Sequence, residues 1–335
     1  MATNNVFYFK NINSIGGVES FFYYLAKKYD FKVYYKEGNV EQIKRLAKYV
    51  EVHKYREPIK CDRFFCNYGF DIEVDAKEKY HIVHCDYKNV WFSPLQYEGF
   101  KYIGVSQLAC NSFKELTGKD IELIYNPVYI DKPKVNKCDD GKLHLISATR
   151  LTKEKGLNRM KRLGKLLDES GIDYEWLIYT NKHKEFIGRN VIYKDQKLDI
   201  IEDIAKADYL VQLSDCEAFC YSVVEALMVG TAVIITDLPV FKEIGINEKN
   251  SIIYNDNLDI KQLLNKKKFK YEPPKDNWSK YLDTKKEYNP EDLVEVRVLR
   301  RYTDIELNKS LIRGETATMT KERASYLESK ELVEW

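Results

Sequence analysis

Two glutamates with seven residues between them, Glu217 and Glu225, lie in the run Ser214-Asp215-Cys216-Glu217-Ala218-Phe219-Cys220-Tyr221-Ser222-Val223-Val224-Glu225-Ala226. The residues before the run, 209–213, read as a short apolar strand, and 222–229 read as a helix. Glu217 therefore falls in the connecting loop. The first amides of such a helix, at 221–224, lack partners within it and favour a phosphate. A second reading needs no ligand, because Ser222-Val223-Val224-Glu225 also matches the S-x-x-E capping box.

A cationic cluster lies upstream, in Ser147-Ala148-Thr149-Arg150-Leu151-Thr152-Lys153-Glu154-Lys155-Gly156, directly after an expected strand at 143–147. Fixed cations such as Arg150 and Lys155 would stabilise an anionic group whose negative charge grows as it departs. One positioned contact of this kind is worth ~3 kcal/mol of barrier. The alternative is a solvated basic turn. No Asp-x-Asp occurs in the sequence, although a divalent ion bridging a diphosphate is commonly held by such a pair. We therefore expect no metal, no cofactor and a metal-independent reaction.

The first half offers a glycine pair, Asn13-Ser14-Ile15-Gly16-Gly17-Val18-Glu19, between a strand and a helix, where backbone can approach a ligand closely. His84 ends an expected strand at 80–85. His81 lies three residues earlier and so faces the other side of the strand, which argues against a shared metal. Aromatic residues at 86–92 would stack on a sugar or touch a lipid head-group region, and read equally as packing, while Phe21-Phe22-Tyr23-Tyr24 should divide between core and cleft.

The elements that must position these residues alternate strand and helix. Runs at 6–9, 32–35, 63–66, 80–85 and 102–105 read as strands, with helices at 20–29 and 40–49. After a Pro- and Lys-rich linker at 126–142 the pattern restarts with strands at 143–147, 174–179, 191–193, 209–213 and 232–235 and helices at 157–170, 200–206 and 222–229. Such alternation predicts two α/β, Rossmann-like domains with parallel sheets and a ligand cleft beyond the strand ends. We expect one domain at 1–135, a second at 136–270, a linker with a crossover helix at 271–290, and a small α+β module at 291–335.

Composition agrees with two cores. The 335 residues are 44% hydrophobic and 32% charged, and 54 basic side chains nearly balance 52 acidic ones. A formal charge of +2 gives no electrostatic reason to expect a nucleic acid partner. Neither a leader peptide nor a membrane span is legible, and the seven cysteines include no CxxC pair. The expectation is a cytoplasmic protein with reduced thiols and at most peripheral membrane contact. The lysine run at 266–270 reads as a solvated face.

Taken in order, Gly16-Gly17, His84, Ser106, Asn126, Arg150, Lys155, Glu217, Glu225 and Glu243 resemble the motifs of glycosyltransferase family 4, over roughly residues 5–260. The resemblance implies a GT-B fold, with 1–135 the acceptor-side and 136–270 the donor domain, and a retaining transfer of a sugar from a nucleotide sugar whose diphosphate meets Arg150 and Lys155, with a UDP-sugar the first expectation. It implies catalytic roles for Glu217, Arg150, Lys155 and His84. Donor contacts would come from Gly16, Gly17, Arg150, Lys155, Phe219, Cys220, Tyr221, Ser222 and Glu225, with Glu225 on the ribose and Glu217 near the transferred sugar. One departure stands out: Cys220 occupies the place of the family's usual glycine in Phe-Gly.

The acceptor expected is a polysaccharide, a lipid-linked glycan or a protein. The alternatives are glycosylation of modified bases in viral DNA and a noncatalytic glycan-binding, virion-associated protein. The tail from residue 294 is similar to a short module attached to bacteriophage proteins, which implies a phage or prophage gene and a tail for self-association or docking on another protein; the alternative is a solvent-exposed hairpin and helix with no partner.

Overall fold

A computed structural model describes residues 4–181, 185–265, 270–285, 293–304 and 309–335. The first half folds as β1 (Asn5–Ile12), α1 (Gly17–Lys28), β2 (Lys32–Gly38), α2 (Val40–Ala47), β3 (Glu51–Lys54), β4 (Ile59–Cys66), β5 (Val74–Val83), β6 (Phe100–Gly104), α3 (Gln107–Thr117) and β7 (Glu122–Leu123). Its seven strands form one parallel sheet in the order β3-β2-β1-β4-β5-β6-β7. Strand order reverses beside β1, so the loops after β1 and β4 part there and leave a crevice.

The second half follows an irregular linker. It comprises β8 (Leu143–Ala148), α4 (Leu157–Ser170), β9 (Tyr174–Tyr179), β10 (Val191–Lys194), α5 (Ile201–Lys206), β11 (Tyr209–Gln212), α6 (Tyr221–Val229), β12 (Ala232–Ile235), α7 (Pro239–Glu243) and β13 (Ile252–Ile253). These strands form a second parallel sheet, β10-β9-β8-β11-β12-β13, with its own reversal between β8 and β11. Helices cover both faces, which is why β11 and β12 are buried along their whole lengths and read as unbroken apolar runs save for Gln212.

The strands β3, β7 and β13 and the helices α3 and α7 were not legible in the sequence. They are short or carry mixed polar and apolar residues, and neighbouring strands supply their ordering. The crossover helix expected within 271–290 is a correction: among the described residues of that stretch only one 3-10 turn forms, at Trp278–Lys280, and residues 286–292 lie outside the described set. Trp278 is fully buried against Phe7, Phe21 and Phe65 of the first domain, with ring centroids 6.0, 5.4 and 6.1 Å away. An aromatic anchor, more than a helix, returns the chain to the first sheet. Most of the lysine run, 266–269, also lies outside the described residues.

The tail contains β14 (Leu293–Val298), β15 (Tyr302–Asp304), β16 (Lys309–Leu311), β17 (Thr316–Thr320), α8 (Lys321–Glu328) and β18 (Val333–Glu334). An antiparallel sheet β17-β14-β18, a β15-β16 hairpin and α8 enclose a separate small core around Val296, Leu311, Met319 and Leu327. Among the described residues no helix is long and apolar enough to cross a membrane.

Candidate active site

The carboxyl ends of both sheets face one cavity of about 780 Å3, within the range of small-molecule sites. From the first domain, Gly16 and Gly17 reach it at the start of α1, and His84 reaches it one residue past β5. From the second domain come Arg150 after β8, Lys155 before α4, Glu217 after β11, and Phe219, Cys220, Tyr221, Ser222 and Glu225 at and within the first turns of α6. The sequence candidates thus converge. Ser106 and Glu243 stand apart from the cavity: Ser106 caps α3, and the Glu243 carboxylate accepts from the amides of Gln107 (2.5 Å) and Leu108 (3.1 Å). That contact joins α7 of one domain to α3 of the other.

Glu217 is held by three donors on a single oxygen. Its Oε1 accepts from Lys155 Nζ at 2.7 Å, from the Ser214 hydroxyl at 2.7 Å and from Gln212 Nε2 at 3.2 Å. The sequence expectation had Lys155 on a diphosphate and Glu217 near a sugar as separate groups. In the structure they form one ion pair. Its proximity is enforced by Gly156, which has φ +80° and lies so close to Leu213 that a Cβ there would fall 1.8 Å from the Leu213 carbonyl oxygen. The Glu217 carboxylate and the Lys155 hydrogen bond hold the ammonium above the ordinary lysine range, against a larger opposing effect of burial. Lys155 therefore stays cationic inside the cleft. Arg150 is more exposed and pairs loosely with Glu154 at 3.8 Å.

The helix α6 begins at Tyr221 with Cys220 as its N-cap, so Ser222 lies inside the first turn. This overturns the capping-box reading of Ser222 and Glu225: counted from Cys220, Glu225 lies two positions beyond the place of a reciprocal cap, and no side chain caps the helix. It overturns one amide as well, because Val224 donates to the Cys220 carbonyl at 3.3 Å. Cys220 adopts φ +70° and ψ +79°, a left-handed conformation that favours glycine. Burial pushes its thiol up to about 12. All seven cysteines are free thiols.

Glu225 instead meets the first domain. Its Oε1 accepts from the Tyr24 hydroxyl at 2.8 Å, and the Tyr24 ring stacks on Tyr221 at 5.5 Å. Burial raises the Glu225 carboxyl, while the Tyr24 hydrogen bond and Arg45 oppose the rise. Phe21 and Phe22 enter the core, whereas Tyr23 and Tyr24 line the cavity, so the aromatic run divides as expected. Glu19 is buried and accepts from the Ser14 hydroxyl at 2.5 Å, pinning the Gly16-Gly17 loop.

His84 packs edge-on against Phe21 at 5.0 Å, and burial lowers its imidazole to about 3, so the ring is neutral. Its Nε2 has no hydrogen-bond partner. His81 is fully buried on the other side, beside Tyr97 and Tyr102, and no group of three or more His, Cys, Asp or Glu among the described residues is placed to hold a metal. In the aromatic loop Phe92 touches the cavity and Trp91 stands 95% exposed beside it. Sequence reasoning missed Gln212, Arg45, Tyr68 and Asp199, all of which line the cavity. Only Gln212 carried a signal, as a polar residue closing an apolar strand.

Two parallel, doubly wound sheets whose reversals face a shared cleft define the GT-B architecture, and this chain has that fold. Residues 129–277, under half of the chain, match the family model described as Glycosyl transferases group 1. That span holds Arg150, Lys155, Glu217 and Glu225. Among solved structures, Anabaena Alr3699/HepE in complex with UDP-glucose aligns with a TM-score of 0.60 at 14% identity, covering 79% of this chain and 88% of that one. A glycosyltransferase from Rickettsia africae ESF-5 aligns at 0.58 and 15% identity, covering 76% and 85%. WaaG, a glycosyltransferase involved in lipopolysaccharide biosynthesis, aligns at 0.57 and 14% identity, covering 77% and 88%. No curated protein matches the chain by sequence. Identities this low establish the fold, and the family match places a glycosyl transferases group 1 domain in the second half.

Proposed function

We propose that the protein is a retaining, metal-independent glycosyltransferase of the family 4 type. It moves a hexosyl group from a nucleotide sugar to a hydroxyl of a polysaccharide, lipid-linked or protein acceptor in the cytoplasm. The observation that carries this reading is the meeting of Arg150, the Lys155–Glu217 pair and the first turn of α6 in one interdomain cavity. UDP-glucose is the first donor to test, since Anabaena HepE, which shares the fold, is known in complex with it.

In this reading the diphosphate lies against the amides at the start of α6, with Arg150 and Lys155 neutralising its growing charge. Glu225 holds the ribose, and Glu217, fixed by its three donors, orients the transferred sugar. His84 and the Gly16-Gly17 loop face the sugar and acceptor from the other domain. The acceptor oxygen bonds to the anomeric carbon on the face from which the phosphate departs. The breaking C–O electron pair leaves with the diphosphate, and the acceptor proton passes to a phosphate oxygen. No residue here needs to act as covalent nucleophile or general base.

The test is release of nucleoside diphosphate from UDP-, GDP-, ADP- and TDP-sugars in the presence of a chelator, with Glu225→Ala, Arg150→Ala and Lys155→Ala as controls. Release by the native protein that is lost in the variants supports the reading. No release and no binding across the panel overturns it in favour of a noncatalytic glycan-binding protein, a role for which the Cβ of Cys220 at the phosphate turn is the supporting feature.

A further inference from the structure

Gln212 closes β11 with its side chain in the cavity, yet the residue is only 3% exposed. Its amide nitrogen donates to the Ser214 hydroxyl at 2.6 Å and to Glu217 Oε1 at 3.2 Å. The Ser214 hydroxyl in turn donates to Glu217 Oε1 at 2.7 Å, so it can only accept from Gln212. This chain of donors fixes the orientation of the amide, because turning it over would set its carbonyl oxygen against the carboxylate. The carbonyl oxygen of Gln212 is left buried with no partner, on a residue that lines the cavity. A buried acceptor without a partner is unusual and calls for a donor.

We infer that Gln212 is a specificity residue, whose side-chain carbonyl accepts a hydrogen bond from a hydroxyl of the transferred sugar. The inference rests on the donor-site reading above and adds to it the group that senses the sugar. An acceptor-only oxygen repels phosphate oxygens and welcomes an O–H. It also stands on the amide that helps fix Glu217, so one side chain both supports the sugar-orienting carboxylate and reads the sugar. A site built to bond a hydroxyl discriminates against the analogue that lacks it, because the buried acceptor is then left unpaired.

The experiment is a cycle between Gln212→Met, close to glutamine in volume, and a series of UDP-glucose analogues each lacking one hydroxyl, with kcat/KM and donor Kd as readouts. UDP alone serves as control. For the native protein one deoxy analogue should be poorer by about 10- to 100-fold. In Gln212→Met that penalty should shrink to a few-fold while the penalties of the other analogues persist. The affinity for UDP, which has no sugar, should be unchanged, and this also shows that the variant is folded. Native turnover of UDP-glucose with every deoxy penalty unaltered by the substitution overturns the role of Gln212 alone. Coupling to deoxy acceptors in place of deoxy donors also overturns it. Failure of the native protein to bind any nucleoside diphosphate overturns the donor-site reading itself.

Discussion

The Tyr24 hydroxyl, on α1 of the first domain, donates at 2.8 Å to the carboxylate of Glu225, on α6 of the second. The carboxylate proposed to hold the nucleotide ribose is thus oriented from across the cleft, and closure of the domains and organisation of the donor site are linked. Tyr24→Phe keeps the ring stack on Tyr221 and removes only the donor. UDP affinity should fall about 5- to 10-fold, as expected for losing a hydrogen bond to a charged group, and calorimetric titration would measure it. A lowered melting temperature with unaltered UDP affinity would show instead that the bond merely clasps the domains.

Glu225 makes a second prediction through its proton. Burial is the largest influence on its carboxyl and raises it; Asp199 adds to the rise, while the Tyr24 bond and Arg45 oppose it. The native state then binds more protons than the unfolded chain, from the ordinary carboxyl range up to the raised value. Stability contributed by this group therefore falls as pH climbs through that window. Glu225→Gln removes this loss, so its melting temperature at pH 7 should equal or exceed that of the native protein, while UDP binding weakens. A helix-capping glutamate would behave oppositely and cost ~1 kcal/mol on removal. Thermal unfolding from pH 4 to 8 distinguishes the two.

Cys220 is the sole non-glycine residue at positive φ near the site, at +70°; the other described case is Glu331 in the tail. Relief of the left-handed conformation should let Cys220→Gly gain ~0.5–1 kcal/mol in denaturant unfolding. It should also leave UDP binding equal or tighter, since a Cβ leaves the turn proposed to meet the diphosphate. A β-branched residue in the same place should destabilise the protein. Equal stability of the glycine and valine variants would contradict the backbone argument.

Trp278 and the tail predict a contrast. Truncation of Trp278 to Ala removes a fully buried ring from the aromatic cluster of the first domain and should cost ~3–5 kcal/mol. Deleting 293–335 removes a module whose core draws on none of the residues of the two sheets. Nucleoside diphosphate release should then stay within about 2-fold of the full chain, a factor of under 1 kcal/mol. If the tail carries the self-association expected of it, sedimentation would register the change while the assay does not.

What the sequence by itself determined was set by local rules. The period of apolar residues located β8, α4, β9, β11 and β12 to within a residue or two, because strands buried on both faces are continuous apolar runs and α4 carries a clear helical stripe. Resemblance to a family's order of motifs, and no local rule, grouped Gly16, His84, Arg150, Lys155, Glu217 and Glu225 before their proximity was visible. Only tertiary structure decided which partner each found. Nothing local distinguishes a Glu225 that caps its own helix from one that accepts from Tyr24, 201 residues away. Lys155 and Glu217 are likewise 62 residues apart, and it is the packing of Gly156 on Leu213 that brings them together. Hydrogen bonds and ion pairs between distant segments depend on how two sheets close on each other, and that information lies in the summed packing of both cores and in no single stretch of chain.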